Sequence, residues 1–450
     1  MVHTYIMKYL IVSHHMKRNR EMLTAIDQIV CQEIDLQGPG VAIAVVKDGK
    51  LVHSAGYGIA NLEWNCPILP DTVFCLASIT KQFTATAIML LEREGKLRLD
   101  DPITAYLPDY PMHDRTITIT HLLNHTSGIK SYTSLDNFMS DISQKNLAPA
   151  DLLLYFKDLP LGFEPGTRFL YNNSGYHLLG LIIEKIAGMS YEQCIQQRIF
   201  QPLGMHHSYY MHNAAIIPRR ASGYAKTPEG YRQSEYLNMM IPYAAGSLGS
   251  TVEDLIRWDA ALYEERLLDA TMQKRMYTPL QLADGRTEEY GFGFRVTSYE
   301  GHRLVGHGGG IPGFHTFMAR FLDDKMMIVV LANMSEIDVE KITRKIARHL
   351  FDLPPIVHTP VTLSSAMLNK AVGTYIFADG SSIEIGRDED KLTLHDPFEY
   401  SLLPISETTF YASQDEEFTV EFADEQDGVF NALTLHIQLY RTFNAIRKQE

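Results

Sequence analysis

The sequence predicts an α+β protein: an antiparallel sheet flanked by helices, a helical subdomain beside it, and a small C-terminal all-β, barrel-like domain. Three observations lead to this prediction. Strand patterns open the chain, helical and loop-rich patterns fill residues 100–285, and strand patterns return up to residue 334. After a proline-containing stretch, the last part of the chain alternates apolar and polar residues between Gly and Asp turns. Strands before and after the helices place both ends of the first part in one sheet.

The opening strands lie in residues 40–58, GVAIAVVKDGKLVHSAGYG. Asp48-Gly49 stands at the centre, and Asp-Gly between two apolar runs is a strong hairpin signal. Residues 1–25 contain a short apolar stretch whose basic residues follow it. A secretory signal has the opposite order, and a membrane span needs about 20 apolar residues. We therefore expect residues 1–25 to form an N-terminal tail.

Helical patterns follow the hairpin. Residues 78–94 are apolar nearly all round, which is typical of a helix buried at the centre of a domain, and Gly95 is a typical helix stop. Residues 176–188 form a second helix with its own glycine stop. Residues 251–264 begin with Thr-x-x-Asp, which resembles a capping box. These helices supply the layers beside the sheet.

Strand patterns return near the end of the first part. We predict strands at residues 290–296, 303–309, 315–322 and 326–334, followed by a helix at 339–351. The closing strands and the opening hairpin then form one sheet.

A linker separates this main domain from the C-terminal module. Residues 353–369 hold three prolines and few periodic signals. We therefore divide the chain into a main domain at 26–355, a linker at 356–369 and an all-β domain at 370–450.

Composition excludes several classes of partner. The chain has 40 basic and 54 acidic residues, a formal net charge of -14. Nucleic acids and anionic membrane surfaces both require clustered Lys and Arg, so we expect a small-molecule or peptide substrate instead. No segment is apolar over the length of a membrane span, and the composition does not indicate the oligomeric state.

Cysteine usage favours a reducing compartment. The four cysteines, at 31, 66, 75 and 194, form no C-x-x-C pair, and no histidines accompany them at zinc spacing. We expect no metal and no organic cofactor. Because the N-terminal residues also form no convincing secretion signal, we expect a cytoplasmic rather than a periplasmic or secreted location.

Two polar residues open an otherwise apolar helix: Ser78 and Lys81, in LASITKQFTATAIMLLEREGKL. Positions i and i+3 of a helix share a face. At a helix N-terminus the backbone N–H groups are unpaired and the dipole is positive, so a serine there can be a nucleophile with donors ready for an oxyanion. A partly buried lysine loses basicity and can accept the serine proton. The tetrad alone does not exclude a serine N-cap beside an ordinary lysine.

Two further motifs follow in order. FEPGTRFLYNNSGYHLLG places Tyr171 and Asn173 in a Tyr-x-Asn pattern before a helix, and GHGGGIPGFH, residues 306–315, joins two strands. Together with S-x-x-K, these motifs resemble the serine β-lactamase and penicillin-binding-protein superfamily. The tyrosine form is typical of class C β-lactamases, D-Ala-D-Ala carboxypeptidases, D-aminopeptidases and related esterases. Segments similar to this family cover about residues 35–352, and the module beginning AVGTY resembles a lipocalin-like domain appended to some members.

The resemblance implies a role for each motif residue. Ser78 is the nucleophile that becomes acylated, and Lys81 and Tyr171 share its proton and pass it to the leaving group. Nearby cations would favour the Tyr171 phenolate. Asn173 orients Lys81 and the substrate amide. The oxyanion hole consists of the backbone N–H groups of Ser78 and Gly310.

The third motif departs from the Lys-Thr-Gly of β-lactamases. It is His307-Gly308-Gly309 here, so a titratable imidazole replaces a permanent positive charge and the Thr hydroxyl is lost. The esterases and peptidases of the family often carry this histidine. We assign substrate binding or orientation to His307, Gly309, Gly310 and His315, although His315 has two positions open to it, in the cleft or facing solvent.

Three other motif interpretations do not agree with the surrounding sequence. His-Gly-Gly-Gly also occurs in α/β-hydrolase lipases, but these need a G-x-S-x-G elbow, which this chain lacks. Gly308, Gly310 and Gly313 spell a dinucleotide fingerprint, but a strand rather than a helix follows them. His121 and His125 have the spacing of a metal pair on a helix without a third ligand, which favours a structural role.

The sequence thus predicts a serine hydrolase that acts through an acyl-enzyme on peptide amides, including amides of D-residues, or on esters. Two alternatives stay open: a β-lactamase that hydrolyses penicillins and cephalosporins, and a non-catalytic scaffold or filament-forming protein of the same fold.

Overall fold

A computed structural model describes residues 24–112, 114–377, 380–396, 398–437 and 442–448. The described residues divide into two compact units. The first runs to Val296 and resumes over Leu304–Phe351, and the second comprises Thr297–Arg303 and the residues from Asp352 onward. The predicted N-terminal tail, residues 1–25, lies outside the described residues except for Thr24 and Ala25, which begin the first helix.

Helices occupy the middle of the first unit, as predicted. In chain order they are α1 (Ala25–Glu33), α2 (Thr80–Arg93), α3 (Ile119–Leu123), α4 (Pro149–Leu152), α5 (Asn173–Ala187), α6 (Tyr191–Ile195), α7 (Gln201–Leu203), α8 (Tyr243–Gly246), α9 (Val252–Tyr263), α10 (Ala270–Met276) and α11 (Val339–Leu350). Short 3₁₀ turns at Ala77–Ile79, Ile103–Ala105, Tyr132–Ser134, Ile142–Gln144 and Leu153–Tyr155 and a π-helical turn at Gln196–Phe200 connect them.

Strands from both ends of the first unit form one antiparallel sheet. The strands up to residue 332 are β1 (Val41–Lys47), β2 (Lys50–Tyr57), β3 (Ile59–Asn61), β4 (Cys66–Pro67), β5 (Phe74–Cys75), β6 (Tyr209–Tyr210), β7 (Tyr224–Thr227), β8 (Gly230–Gln233), β9 (Leu248–Ser250), β10 (Leu280–Gln281), β11 (Thr287–Glu288), β12 (Arg295–Tyr299), β13 (His302–Ile311), β14 (Phe314–Phe321) and β15 (Met326–Ala332). Six of them pair in the order β12-β13-β14-β15-β1-β2. The predicted α+β arrangement is confirmed.

The central helix α2 differs from its prediction at one end. Ser78 lies in a 3₁₀ turn that precedes the helix rather than in its first α-helical turn. The predicted stop at Gly95 is confirmed, since its φ is +68°, in the left-handed region that favours glycine. Every residue of α2 from Thr80 to Leu91 is buried, as the apolar pattern on all its faces predicts.

The predicted strand at residues 290–296 is only partly correct. Residues 291–294 are irregular, and the strand begins at Arg295. Gly293 has a φ of +75°, and a Cβ there would lie 2.5 Å from the carbonyl oxygen of Lys81. The aromatic residues at 290, 292 and 294 favour a strand, but the loop passes so close to α2 at Gly293 that it does not adopt regular strand geometry.

The second unit contains a closed barrel of eight antiparallel strands, which confirms the barrel-like prediction. Its interior is filled by large apolar side chains, including Tyr375, Phe410 and Phe422. The segment predicted as a linker, 356–369, ends in a helix, because residues from Ser365 onward belong to it. The elements of this unit are α12 (Ser365–Ala371), β16 (Gly373–Phe377), β17 (Ser382–Asp388), β18 (Lys391–Asp396), β19 (Phe398–Pro404), β20 (Thr409–Ala412), β21 (Asp415–Gln426), β22 (Val429–His436) and β23 (Thr442–Arg447).

Candidate active site

Ser78 is presented by a sharp turn between strand and helix. The preceding residue, Ala77, has a φ of +49°, a conformation that a non-glycine residue adopts only under constraint from its surroundings. On the other side, strand β13 approaches closely: a Cβ on Gly309 would lie 2.3 Å from the Leu76 carbonyl oxygen and 2.9 Å from the Ser78 nitrogen. Position 309 therefore requires glycine. This packing holds Ser78 against the end of β13.

Lys81 is fully buried beneath Ser78. Its Nζ lies 3.0 Å from Ser78 Oγ, 2.8 Å from Asn173 Oδ1 and 2.8 Å from the Ala245 carbonyl oxygen. Burial lowers the pKa of Lys81 well below its ordinary value. A neutral amine has two N–H groups and one lone pair. Because the amide and carbonyl oxygens can only accept, the two N–H groups satisfy them, and the lone pair is left for the Ser78 hydroxyl.

Tyr171 lies beside this amine. Lys81 Nζ is 4.9 Å from the centre of the Tyr171 ring. The buried phenolic oxygen has no partner with full hydrogen-bond geometry among the described residues, although the Ser78 hydroxyl is close enough to favour the phenolate. Burial outweighs this effect and raises the pKa of Tyr171. Burial therefore acts against the expected phenolate in the resting site.

Asn173 is fixed at the start of helix α5. Its Oδ1 accepts from Lys81, and its Nδ2 donates to Thr133 Oγ1 over 3.1 Å. Asn172 caps the helix by accepting from the Gly175 N–H. The helix N-terminus thus aims the Asn173 side chain at Lys81.

His307 is buried behind the nucleophile. Its Nδ1 lies 2.5 Å from the Gly308 carbonyl oxygen and its Nε2 lies 2.9 Å from the Tyr290 hydroxyl. A carbonyl only accepts, so Nδ1 carries the proton and Nε2 accepts from Tyr290. Burial lowers the pKa of His307 well below its ordinary value, and the nearby Arg295 acts in the same direction. This histidine is therefore a neutral packing partner of the site.

The structure places His315 away from the nucleophile. Antiparallel partners share a face of the sheet, and His315 pairs with Gly310, whereas Gly309 pairs with Thr316. The His315 Nδ1 lies 2.7 Å from the Ile337 carbonyl oxygen, and its Nε2 lies 3.1 Å from the Glu340 carboxylate on α11. Burial acts against the charged imidazole, but Glu340 raises the pKa of His315 to about 9. We therefore assign no substrate contact to His315.

Two ring-bearing residues, Tyr290 and His125, were not assigned to the site from the sequence. Tyr290 donates to His307, and the His125 ring lies 4.4 Å from the Tyr171 ring. The Asn172 N–H donates to His125 Nδ1 over 3.1 Å. These two residues lie in the segments YGFGF, residues 290–294, and HLLNHTSGI, residues 121–129, which both resemble the family. That resemblance is the sequence signal from which a place in the site could have been predicted. The predicted structural role of His125 agrees with these contacts.

A cavity of about 280 Å³ opens beside Ser78. Its lining comprises Ser78, Tyr132, Thr133, Phe138, Met139, Asn173, Leu237, Pro242, Ala245, Gly246, Gly310, Ile311 and Pro312. The site residues that line it are Ser78, Asn173 and Gly310; His307, Gly309 and His315 are not among its lining residues. A substrate seated there would contact the serine directly.

No metal centre is found in the described ranges, where no three His, Cys, Asp or Glu side chains are grouped as ligands. His121, which the sequence places four residues before His125, accepts the Thr118 N–H through Nδ1 in a capping box. Within the same ranges, none of the helices has the length and apolar character that a membrane-spanning segment requires.

Comparison with known proteins identifies the family. The family model described as Beta-lactamase matches residues 26–351. The chain belongs to this family. A penicillin-binding protein of Bacillus subtilis strain 168 is 31% identical over 407 residues, covering 84% of this chain and 89% of the relative. The serine, lysine and tyrosine described above thus stand in a family that includes penicillin-binding proteins.

A second relative and a solved structure extend the comparison. The D-aminopeptidase of Gluconobacter oxydans strain 621H is 28% identical over 305 residues, covering 66% of this chain. The match spans 56% of the D-aminopeptidase, little more than half of its length. The octameric penicillin-binding protein homologue from Pyrococcus abyssi has a TM-score of 0.67 at 28% identity, covering 94% of this chain and 99% of that chain. The fold of this chain is therefore that of the beta-lactamase family along most of its length.

Proposed function

We propose that this member of the family is a serine hydrolase in which Ser78 is acylated and neutral Lys81 is the base. The position of the Lys81 amine carries this proposal. Its two N–H groups are engaged by Asn173 and Ala245, and its remaining direction is toward Ser78 Oγ, 3.0 Å away. A general base must lie within hydrogen-bond reach of the proton that it takes. Lys81 meets this condition, and burial, which lowers the pKa of its amine well below the ordinary value, favours the uncharged form.

The reaction then proceeds in two steps. Ser78 Oγ attacks the substrate carbonyl carbon while its proton passes to Lys81, and the carbonyl oxygen becomes an oxyanion held by the N–H groups of Ser78 and Gly310. The bond to the leaving amine or alcohol breaks as that group receives a proton through Tyr171 and Lys81. Water next attacks the acyl-enzyme, gives its proton to the same pair, and releases the acid and Ser78.

For the substrate we propose peptide amides, including amides of D-residues, or esters. The names of the relatives, a penicillin-binding protein and a D-aminopeptidase, support this class. Efficient β-lactamase action is disfavoured, because neutral His307 supplies no charge for the β-lactam carboxylate. A non-catalytic scaffold is disfavoured as well, because such a protein has no need of a buried, uncharged lysine beside a serine.

Covalent labelling tests this proposal. Native protein and Ser78→Ala would be treated with a fluorophosphonate and with a fluorescent penicillin, and the modified residue mapped by mass spectrometry. Alanine removes the attacking oxygen with little change in volume, so labelling and hydrolysis should both vanish while the fold is retained. Thr133→Ala, which alters a neighbour of Asn173, is the control and should still label. Labelling of Ser78→Ala at an unchanged rate would refute the assignment.

Two further features support proposals of their own. All four cysteines are unpaired, and we propose a reducing, cytoplasmic location, which fractionation of the source cells tests.

For the domain division, we propose that residues 26–355 form the catalytic domain and that residues 356–369 connect it to the barrel. We propose that residues 370–450 shape access to the site and take no part in the chemistry. A folded chain cut near residue 360 should keep Ser78 reactive toward a small fluorophosphonate.

A further inference from the structure

The cavity beside Ser78 has no charged side chain in its lining. Its walls are formed mainly by apolar side chains: Tyr132, Phe138, Met139, Leu237, Ile311 and the two prolines Pro242 and Pro312. Two polar side chains besides Ser78, Thr133 and Asn173, lie among them. Such a cavity removes apolar substrate surface from water and offers no ion as partner to a substrate charge.

The polar groups of the lining are already engaged. Asn173 Oδ1 accepts from Lys81 and its Nδ2 donates to Thr133 Oγ1. Thr133 Oγ1 also lies 2.8 Å from Ser131 Oγ. The hydrogen-bonding capacity that these groups retain is uncharged, so a substrate carboxylate or ammonium would find no opposite charge among them.

Charged groups near the cavity are also not available to the substrate. Lys81 is fully buried, and its amine is already hydrogen-bonded to Asn173 and Ala245. On the loop that carries Phe138 and Met139, Lys145 pairs with Asp141 over 2.8 Å. Asp136 of the same loop is exposed to solvent and is not in the lining.

Met139 marks the entrance to this cavity. Its side chain is 41% exposed, although it is large and apolar, and it belongs to the lining. A substrate that covers it gains contact with apolar surface now facing water.

We propose that the cavity selects a neutral, apolar acyl group: an ester or amide whose acyl part carries neither a carboxylate nor a free ammonium. This inference rests on the proposed acylation of Ser78. It predicts that amides of D-amino acids are accepted when the amine is blocked and are poor substrates when the amine is free. In this respect the chain would differ in substrate from its D-aminopeptidase relative.

Three p-nitrophenyl esters of equal chain length test the proposal: hexanoate, hemiadipate and 6-aminohexanoate, which are neutral, anionic and cationic. The kcat/KM for hexanoate should exceed each of the other two by at least about tenfold, the scale on which an unpaired charge is rejected by an apolar pocket. If turnover is slow, the rate of Ser78 acylation, followed by intact mass, replaces kcat/KM. Equal or faster reaction of a charged ester at Ser78 would overturn the inference.

A pair of variants sharpens the result. Met139→Lys places a cation at the cavity entrance and should raise the hemiadipate-to-hexanoate ratio by about three- to fivefold, as expected for one partly exposed ion pair. Leu154→Lys is the matched control, because Leu154 is 68% exposed and does not line the cavity; it should leave the ratio unchanged. An equal shift in both variants would also count against the proposal.

Different results would refute the proposed acylation of Ser78 and the proposed selection of neutral acyl groups. If Ser78→Ala hydrolyses the esters as well as native protein does, or if none of them acylates Ser78, the proposed function is wrong. If hydrolysis requires Ser78 but a charged ester is preferred, the proposed function stands and the selection of neutral acyl groups is wrong.

Discussion

Two histidines on neighbouring strands of the sheet are held in opposite charge states. His307 on β13 lies beside Tyr171, where burial, with Arg295 acting in the same direction, lowers its pKa well below the ordinary value. His315 on β14 lies against α11, where burial opposes the charge but Glu340 raises its pKa to about 9. On the Ser78 side of the sheet the surroundings disfavour a charged histidine, whereas Glu340 on the α11 side stabilises one. Because the two positions are close in the chain, the difference comes from their neighbours.

The first prediction concerns Tyr171, which we propose passes a proton to the leaving group on the Ser78 side of the sheet. Tyr171→Phe removes one hydroxyl and keeps the ring packed against His125, so kcat should fall by ~10²–10⁴, the usual contribution of general acid–base catalysis. Steady-state kinetics with hexanoate ester would measure the loss. Binding of a substrate analogue should change much less, and a variant with native kcat would assign the proton transfer to Lys81 alone.

The second prediction concerns a positive charge introduced at His307, on the same side of the sheet. His307→Lys introduces an ammonium that burial and Arg295 both oppose, and it loses the acceptor of Tyr290. We expect the free energy of unfolding at pH 7 to fall by roughly 3–5 kcal/mol, as when a buried charge lacks a partner. His307→Gln is the control: it stays neutral and should cost about 1 kcal/mol, the value of one altered hydrogen bond. Equal stability of both variants in denaturant titrations would show that charge is tolerated there.

The third prediction concerns the charged histidine. The folded-state pKa of His315, about 9, lies above its ordinary value of 6.5, so its stabilisation is complete below pH 6.5 and is lost as the pH rises through 9. Over this window native protein should lose about 3 kcal/mol of unfolding free energy relative to His315→Gln. Parallel pH curves for the two proteins would contradict the ion pair with Glu340.

The smallest effect is expected from Glu340→Gln on catalysis. The substitution removes the charge that contributes most to raising the His315 pKa, and NMR titration should show that pKa falling toward its ordinary value, since burial is then opposed only by Ile337 and Asp338. Because Glu340 does not line the cavity, kcat/KM should stay within about twofold of the native value. A tenfold loss would mean that the two sides of the sheet are coupled.

The sequence was sufficient for the features that depend on local pattern and short motifs. The Asp48-Gly49 hairpin, the buried helix before Gly95 and the alternation along the barrel strands follow from periodicities that a side chain imposes on its own segment. The motif residues Ser78, Lys81, Tyr171 and Asn173 were also predictable, because their spacing resembles a family whose members keep these residues in order. The structure brings all four together at one place.

Tertiary structure decided the properties of the site that depend on distant partners. Lys81 receives its third contact from Ala245, 164 positions away, and its lowered pKa follows from a burial that no local pattern specifies. His315 was expected to orient substrate, yet the pairing of β13 with β14 turns it toward Glu340. Protonation states and the lining of a cavity depend on the sum of burial, charge and hydrogen bonds from segments far apart in the chain. The sequence therefore determined the four motif residues Ser78, Lys81, Tyr171 and Asn173, and the fold determined their neighbours, their protonation and their access to substrate.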